Sequence, residues 1–187
     1  MRYSSIAIAA LSTTVGIALV QATSAWSAFR FGPSDRTAAQ VQVVAPSDSM
    51  VATVSQIAST TSGPVVLLTP KGTRRSLPIW IGHAEARAIE RAHFNIDMPR
   101  PATHDLLANI IDRLDAQVAH VSVDRLREDG VYTGTVTLVH GDQILAIDAR
   151  PSDAIALALR TDRPIYMANT LRRQLVDISA PILSDLR

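Results

Sequence analysis

The stretch Ile147-Asp148-Ala149-Arg150-Pro151-Ser152-Asp153-Ala154-Ile155-Ala156-Leu157-Ala158-Leu159-Arg160 decides the fold. Its first residues finish an apolar segment, Gln143 to Ile147, that reads as a strand. Pro151 and Ser152 then open a helix, because proline in the first turn lacks only an N–H that has no helical partner there. Ala154 to Leu159 is apolar on every side, and a helix with no polar face must be buried. Asp153 stands at its positive end and Arg160 at its negative end, each complementing the helix dipole by about 0.3–1 kcal/mol.

Working outward, Pro164 to Ala168 reads as a short strand, and a last helical turn is expected over Leu171 to Leu175. Upstream, strands are expected at Val118 to Arg125 and Val131 to Val139, joined by a turn at Asp129-Gly130, with Gly141-Asp142 leading into Gln143 to Ile147. An antiparallel meander is the economical arrangement. Thr103 is expected to cap a helix in which Leu106, Leu107, Ile110, Ile111 and Leu114 recur at helical spacing, leaving Asp105, Asn109, Asp112 and Arg113 to solvent. Pro99 and Pro101 forbid helix before it. His83 to His93 carries no breaker and reads as helix. Met50 to Ile57, Val65 to Leu68 and Leu77 to Ile81 read as strands around the Pro70-Lys71-Gly72-Thr73 turn, with Trp80 expected in the core. The class is α+β: a mixed, mainly antiparallel sheet with about three helices, one fully buried, in a single compact domain.

The N-terminus carries an address. Arg2 precedes an apolar stretch from Ile6 to Val20, and Thr23, Ser24, Ala25 and Ser27 supply the small residues that a leader peptidase requires. Residues 1–28 therefore read as a signal peptide or N-terminal anchor, 29–48 as a linker, 49–177 as the folded domain and 178–187 as a tail. The expected location is exported, periplasmic or secreted, or anchored to an inner membrane; membrane contact follows only if the leader is retained.

Of 187 residues none is cysteine, which excludes disulfide frameworks, thiolate nucleophiles and zinc fingers. Any metal must be held by oxygen or imidazole. The 18 basic and 17 acidic residues leave a net charge of +1; loss of Arg2 with the leader would make it 17 against 17. No global field attracts a polyanion, so nucleic-acid binding would need a local patch. Lys71 to Arg75 is a small basic turn that suits a solvated hairpin tip or a phosphate backbone.

Several of these stretches resemble the bifunctional nuclease domain family, named after plant nucleases acting on RNA and single-stranded DNA. They are Leu77-Pro78-Ile79-Trp80-Ile81-Gly82 with Glu85-Ala86 and Ile89, Pro99-Arg100-Pro101 with Thr103-His104-Asp105-Leu106-Leu107, and Ile147 to Arg160 with Pro164-Ile165-Tyr166 behind it. The resemblance covers about Met50 to Asp177. It implies a compact α+β domain that self-associates, most simply as a homo-oligomer, and a hydrolase acting on phosphodiesters of RNA or single-stranded DNA.

The resemblance brings no settled catalytic set, so the site is argued from chemistry. Phosphodiester hydrolysis needs a positioned water, charge stabilisation and proton transfer, commonly with carboxylate-held Mg²⁺ or Mn²⁺. Asp148 and Asp153, with Glu85 or Asp105, are the candidate metal ligands; His104 is the candidate proton carrier, and Arg100 and Arg150 the groups that offset phosphoryl charge. Each has a plainer role. Asp148 would pair with Arg150, Asp153 would cap its helix, Asp105 and Glu85 would complement helix dipoles, Arg100 would pair with a neighbouring carboxylate, and His104 would be an ordinary surface side chain. His83, His93, His120 and His140 form no ligand spacing. The rival reading is a non-catalytic oligomeric envelope module that binds a protein or small ligand.

Overall fold

A computed structural model describes residues 43–177. The leader, most of the linker and the tail read from sequence lie outside the described residues. No helix among the described residues is long and apolar enough to cross a membrane.

Twelve elements follow in order: strands β1 (Ser49–Thr60), β2 (Gly63–Pro70) and β3 (Arg75–Trp80); helices α1 (His83–His93) and α2 (Thr103–Arg113); strands β4 (Ala116–Leu126), β5 (Tyr132–His140) and β6 (Gln143–Ala149); helix α3 (Pro151–Thr161); strand β7 (Ile165–Ala168); a 3-10 turn Asn169–Gln174; and the two-residue strand β8 (Val176–Asp177). The strands form one mixed sheet in the order β6-β5-β4-β7-β1-β2-β3-β8. It consists of two antiparallel meanders, β1-β2-β3 and β4-β5-β6. The short β7 inserts between them, antiparallel to β1 and parallel to β4. The class is the one expected. The meander is present twice, and the parallel seam that joins the copies is the departure.

Register sorts the sheet into two faces. Val121 pairs with Val136 and Ile165, and Val123 with Gly134 and Met167, so these side chains share one face. Val54, Val66, Leu68, Leu77 and Ile79 continue it, and all belong to one buried cluster with Ile89 of α1, Ala108 and Ile111 of α2 and Ala154 to Ala158 of α3. The helices therefore cover that face. Helix α3 lies at the centre, packed on β4 and β5 with α1 and α2 on either side. Ala154 to Ala158 have at most 1% of their surface exposed, as an all-apolar helix requires.

Each helix ends on a residue in the left-handed region: Asn95 (φ 52°), Asp115 (φ 56°) and Asp162 (φ 51°). Short polar side chains are the non-glycine residues that best tolerate that conformation. Helix α2 starts differently from the expectation. Its cap is Ala102, whose N–H is held by the Asp105 carboxylate at 2.8 Å, and Thr103 is an exposed first helical residue.

Two burial expectations are corrected. Trp80 is 44% exposed, because Leu77 and Ile79 point into the core and strand alternation turns Trp80 outward. In α2 only Ala108 and Ile111 are buried, whereas Leu106, Leu107, Ile110 and Leu114 are exposed. The helix leans on α3 through a narrow ridge and leaves most of its apolar stripe uncovered.

The backbone packed around Gly134 leaves no room for a side chain. A Cβ there would stand 2.9 Å from the Ser122 carbonyl oxygen, 3.3 Å from that of Ala149 and 3.4 Å from Cα of Pro151, all backbone atoms. Gly134→Ala must displace the Ser122 carbonyl of β4, with the Ala149 carbonyl giving slightly. The expected loss of stability is about 1–3 kcal/mol, typical of overpacking, and denaturant unfolding followed by circular dichroism measures it.

Candidate functional site

The corner between β6 and α3 is a change of direction at Arg150-Pro151. Arg150 is extended (φ −66°, ψ 142°), and its carbonyl oxygen accepts the N–H groups of Asp153 and Ala154. Its side chain folds back over the helix start, where Nε donates to Asp153 Oδ2 at 2.7 Å and Nη2 to Asp153 Oδ1 at 3.1 Å. The same Nη2 lies 2.9 Å from Glu85 Oε1 on α1. Asp153 Oδ1 also meets His104 Nε2 on α2 at 3.3 Å. One two-toothed guanidinium–carboxylate pair thus ties together the N-terminal turns of all three helices.

Exposure differs sharply within the group. The Arg150 side chain is 65% exposed, while Glu85 is at 18% and His104 at 13%. Arg150 is a cation held from behind and open in front. The hydrogen bonds and charge of Asp153, and after them those of Glu85, raise its pKa further above the ordinary arginine value. Glu85 reaches it because Gly82 has no side chain: a Cβ at Gly82 would overlap the Glu85 carboxylate.

The other candidates fall elsewhere. Asp105 is bound twice, by the Ala102 N–H and by Arg160 Nε at 3.0 Å, so it locks the start of α2 to the end of α3. Arg100 is exposed in the segment before α2 and makes no ion pair among the described residues. Asp148 pairs with Thr135, which places it on the sheet face away from the helices. It is exposed and has no hydrogen bond or ion pair among the described residues, so it does not pair with Arg150. Strand alternation is the reason: Ala149, not Asp148, shares the helix-side face with Gly134.

Glu85, His104, Arg150 and Asp153 therefore come together, Asp105 forms a neighbouring lock, and Asp148 and Arg100 stand apart. For a divalent metal this donor set does not fit. Both Asp153 oxygens and one Glu85 oxygen are taken by Arg150 and His104, and among the described residues no three His, Asp or Glu side chains form a metal-holding group. Chemically, the arrangement offers a fixed guanidinium for an anion and an imidazole oriented by a carboxylate, the ordering used where histidine moves protons.

A second polar group lies on the far face. Asp124 accepts from the Ser122 hydroxyl at 2.5 Å and the Thr135 hydroxyl at 2.7 Å, bridging β4 and β5. His120 packs edge-to-face on Tyr166 beside it. Reading histidines only as metal ligands missed this group. Its signal was His120-Val121-Ser122-Val123-Asp124, polar at every second position and therefore on one strand face.

The fold is a small α+β domain whose helix starts meet in one charged cluster. The family model described as the bifunctional nuclease domain matches residues 65–177, and the chain belongs to that family. An uncharacterised protein of Mycobacterium tuberculosis strain H37Rv is 38% identical over 111 residues, 59% of this chain and 65% of that protein. Bifunctional nuclease 1 of Oryza sativa subsp. indica is 27% identical over 105 residues, 55% of this chain and 32% of that protein. Bifunctional nuclease 2 of Arabidopsis thaliana is 27% identical over 105 residues with the same coverage. The matched region thus spans just under two thirds of the mycobacterial relative and about one third of the plant proteins.

Burial lowers the pKa of His120, against a smaller opposing pull from Asp124. The unfolded chain then binds a proton more readily than the folded one, so His120 stabilises the fold above the ordinary histidine value of about 6.5 and loses that contribution as pH falls through the lowered folded value. Replacing it by a side chain that does not titrate, His120→Gln, is expected to flatten the fall in stability below about pH 6.5. Urea unfolding at a series of pH values measures the slope.

Proposed function

We propose that the chain hydrolyses phosphodiester bonds in RNA or single-stranded DNA, with Arg150 and His104 facing the scissile phosphate. The observation that carries this reading is the asymmetry of Arg150, anchored by two carboxylates on one side and open to solvent on the other. An immobilised guanidinium in that setting offsets charge developing on phosphoryl oxygens without reorganising. His104, held through Nε2 by Asp153, keeps Nδ1 to exchange a proton with water or the leaving oxygen. Glu85 and Asp153 act through these two as positioning residues. No step is assigned to a metal. The leader-like segment would carry the activity out of the cytoplasm.

The names of the plant relatives support nuclease chemistry. A rival reading has its own observation. The bonds of Arg150 to Glu85 and Asp153 join α1 to α3 and would do so in a domain with no reaction to perform. A non-catalytic oligomeric envelope module uses the same bonds as a helix clamp.

The purified chain, incubated with labelled single strands of RNA and DNA in Mn²⁺, Mg²⁺ or EDTA, decides between them. Cleavage is expected, reduced about 100-fold by Arg150→Met, as for loss of one charge-stabilising donor, and about 100- to 10,000-fold by His104→Gln. Melting temperatures report the clamp independently. No cleavage in any condition, with both variants lowering the melting temperature, would favour the clamp.

A further inference from the structure

The sheet face away from the helices carries polar side chains that the helix-start cluster does not use. Register sets Tyr166, Ser122, Thr135 and Asp148 in one row across β7, β4, β5 and β6. Neighbouring strands in such a row lie about 4.8 Å apart. His120 and Asp124 stand two residues to either side of Ser122 on β4, so alternation keeps both on that face. Ser122 is the floor of a small site, with His120 and Asp124 at its ends along the strand and Tyr166 and Thr135 at its sides.

The charge of this site is one-sided. Asp124 is half-buried, and its two oxygens accept only the hydroxyls of Ser122 and Thr135. Asp148, one strand beyond Thr135, is exposed and has no bond among the described residues. No arginine or lysine reaches either carboxylate there. A half-buried carboxylate is ordinarily matched by a cation.

His120 supplies a second, independent observation. It is only 7% exposed, with its ring edge-to-face on Tyr166 at 5.3 Å, yet neither ring nitrogen has a hydrogen-bond partner among the described residues. Buried polar atoms are almost always bonded. Burial holds its pKa below the ordinary value, so at neutral pH the ring is uncharged and one nitrogen is an acceptor.

From this arrangement we infer a second binding site, for a small aliphatic diamine: one ammonium sits over Ser122 between Asp124 and His120, and the other meets Asp148. The inference stands apart from the hydrolytic reading and needs none of it. An alkylammonium is a compact charge with three N–H donors. Its acceptors here are the remaining lone pairs of the Asp124 oxygens, the unprotonated nitrogen of His120 and the Ser122 hydroxyl oxygen. The Tyr166 ring beside them also favours a cation. A guanidinium suits the site less, because its fork takes both oxygens of a carboxylate, and each Asp124 oxygen already carries a hydroxyl. A divalent metal lacks ligands, since no three His, Asp or Glu side chains form a metal-holding group among the described residues.

The full chain is titrated at neutral pH with putrescine, with n-butylamine and with butanediol, which has the length of putrescine and no charge. Proton–carbon NMR follows the rings of the five histidines, and the His120 signal is the one missing from His120→Gln. Putrescine is expected to move that signal alone, saturably, with a Kd of about 1–10 mM, within the bound for so few atoms. Butanediol should leave it in place. Asp124→Asn should weaken both amines about 10- to 100-fold, the loss of a charge-assisted hydrogen bond. Asp148→Asn removes no bond of the fold; it should weaken putrescine about 2- to 5-fold, as for an exposed ion pair, and leave n-butylamine unchanged. Asp112→Asn, on α2 across the sheet, removes the same charge and should alter neither. If Asp124→Asn fails to fold, the His120 shift and the Asp148→Asn comparison decide. No saturable His120 shift below roughly 100 mM putrescine, an equal shift with butanediol, putrescine binding unchanged in Asp148→Asn, or equal weakening by Asp112→Asn would each overturn the proposal.

Discussion

Burial of α3 is the constraint on which the rest of the domain depends. Five consecutive residues, Ala154 to Ala158, have almost no contact with water. Three of the five are alanine, so sheet and neighbouring helices approach closely. A side chain larger than alanine at those positions would separate the layers. The small residues explain how a helix with no polar face can be central: it gives up side-chain volume to gain neighbours on every side.

A helix buried along its length can carry charge only at its ends. Arg150 and Asp153 crowd the start of α3, and Arg160 lies near its finish. The outer helices are indexed through these groups, α1 by Glu85 to Arg150 and α2 by Asp105 to Arg160 and His104 to Asp153. Such partly exposed pairs add little net stability individually, because solvent screens them and fixing long side chains costs entropy. Their effect is positional. They set where three helix N-termini meet, and that meeting point gathers a guanidinium, an imidazole and two carboxylates. The candidate site is thus a by-product of how the helix layer is fastened, which is why one set of bonds supports both a catalytic and a structural role.

Local signals made much of this legible. The breaker-free run His83–His93 and the all-apolar run after Pro151 are helices in the structure, and glycine turns bracket the strands as expected. Glu85, His104, Arg150 and Asp153 are readable as candidates because each occupies a helix start or a corner. Sequence does not show which strands far apart in the chain become neighbours. The seam between β7 and β4 brings residues more than forty positions apart into register, and no local pattern encodes it. Strand parity was the other blind spot. Asp148 sits two positions before Arg150, but the corner after Ala149 sends one to the far face and the other over the helices.

The stripe of α2 illustrates a more general point about periodicity. Leu106, Leu107, Ile110, Ile111 and Leu114 were expected inside because apolar spacing of that kind records burial. In the single chain only Ile111 is buried. Periodicity reports an apolar face, and it is silent about how much of that face the chain itself covers. An exposed apolar helix flank beside an exposed apolar edge strand costs solubility in a monomer. The contact with α3 takes only the Ala108–Ile111 ridge, so apolar spacing in α2 marks a wider face than the one the chain itself buries.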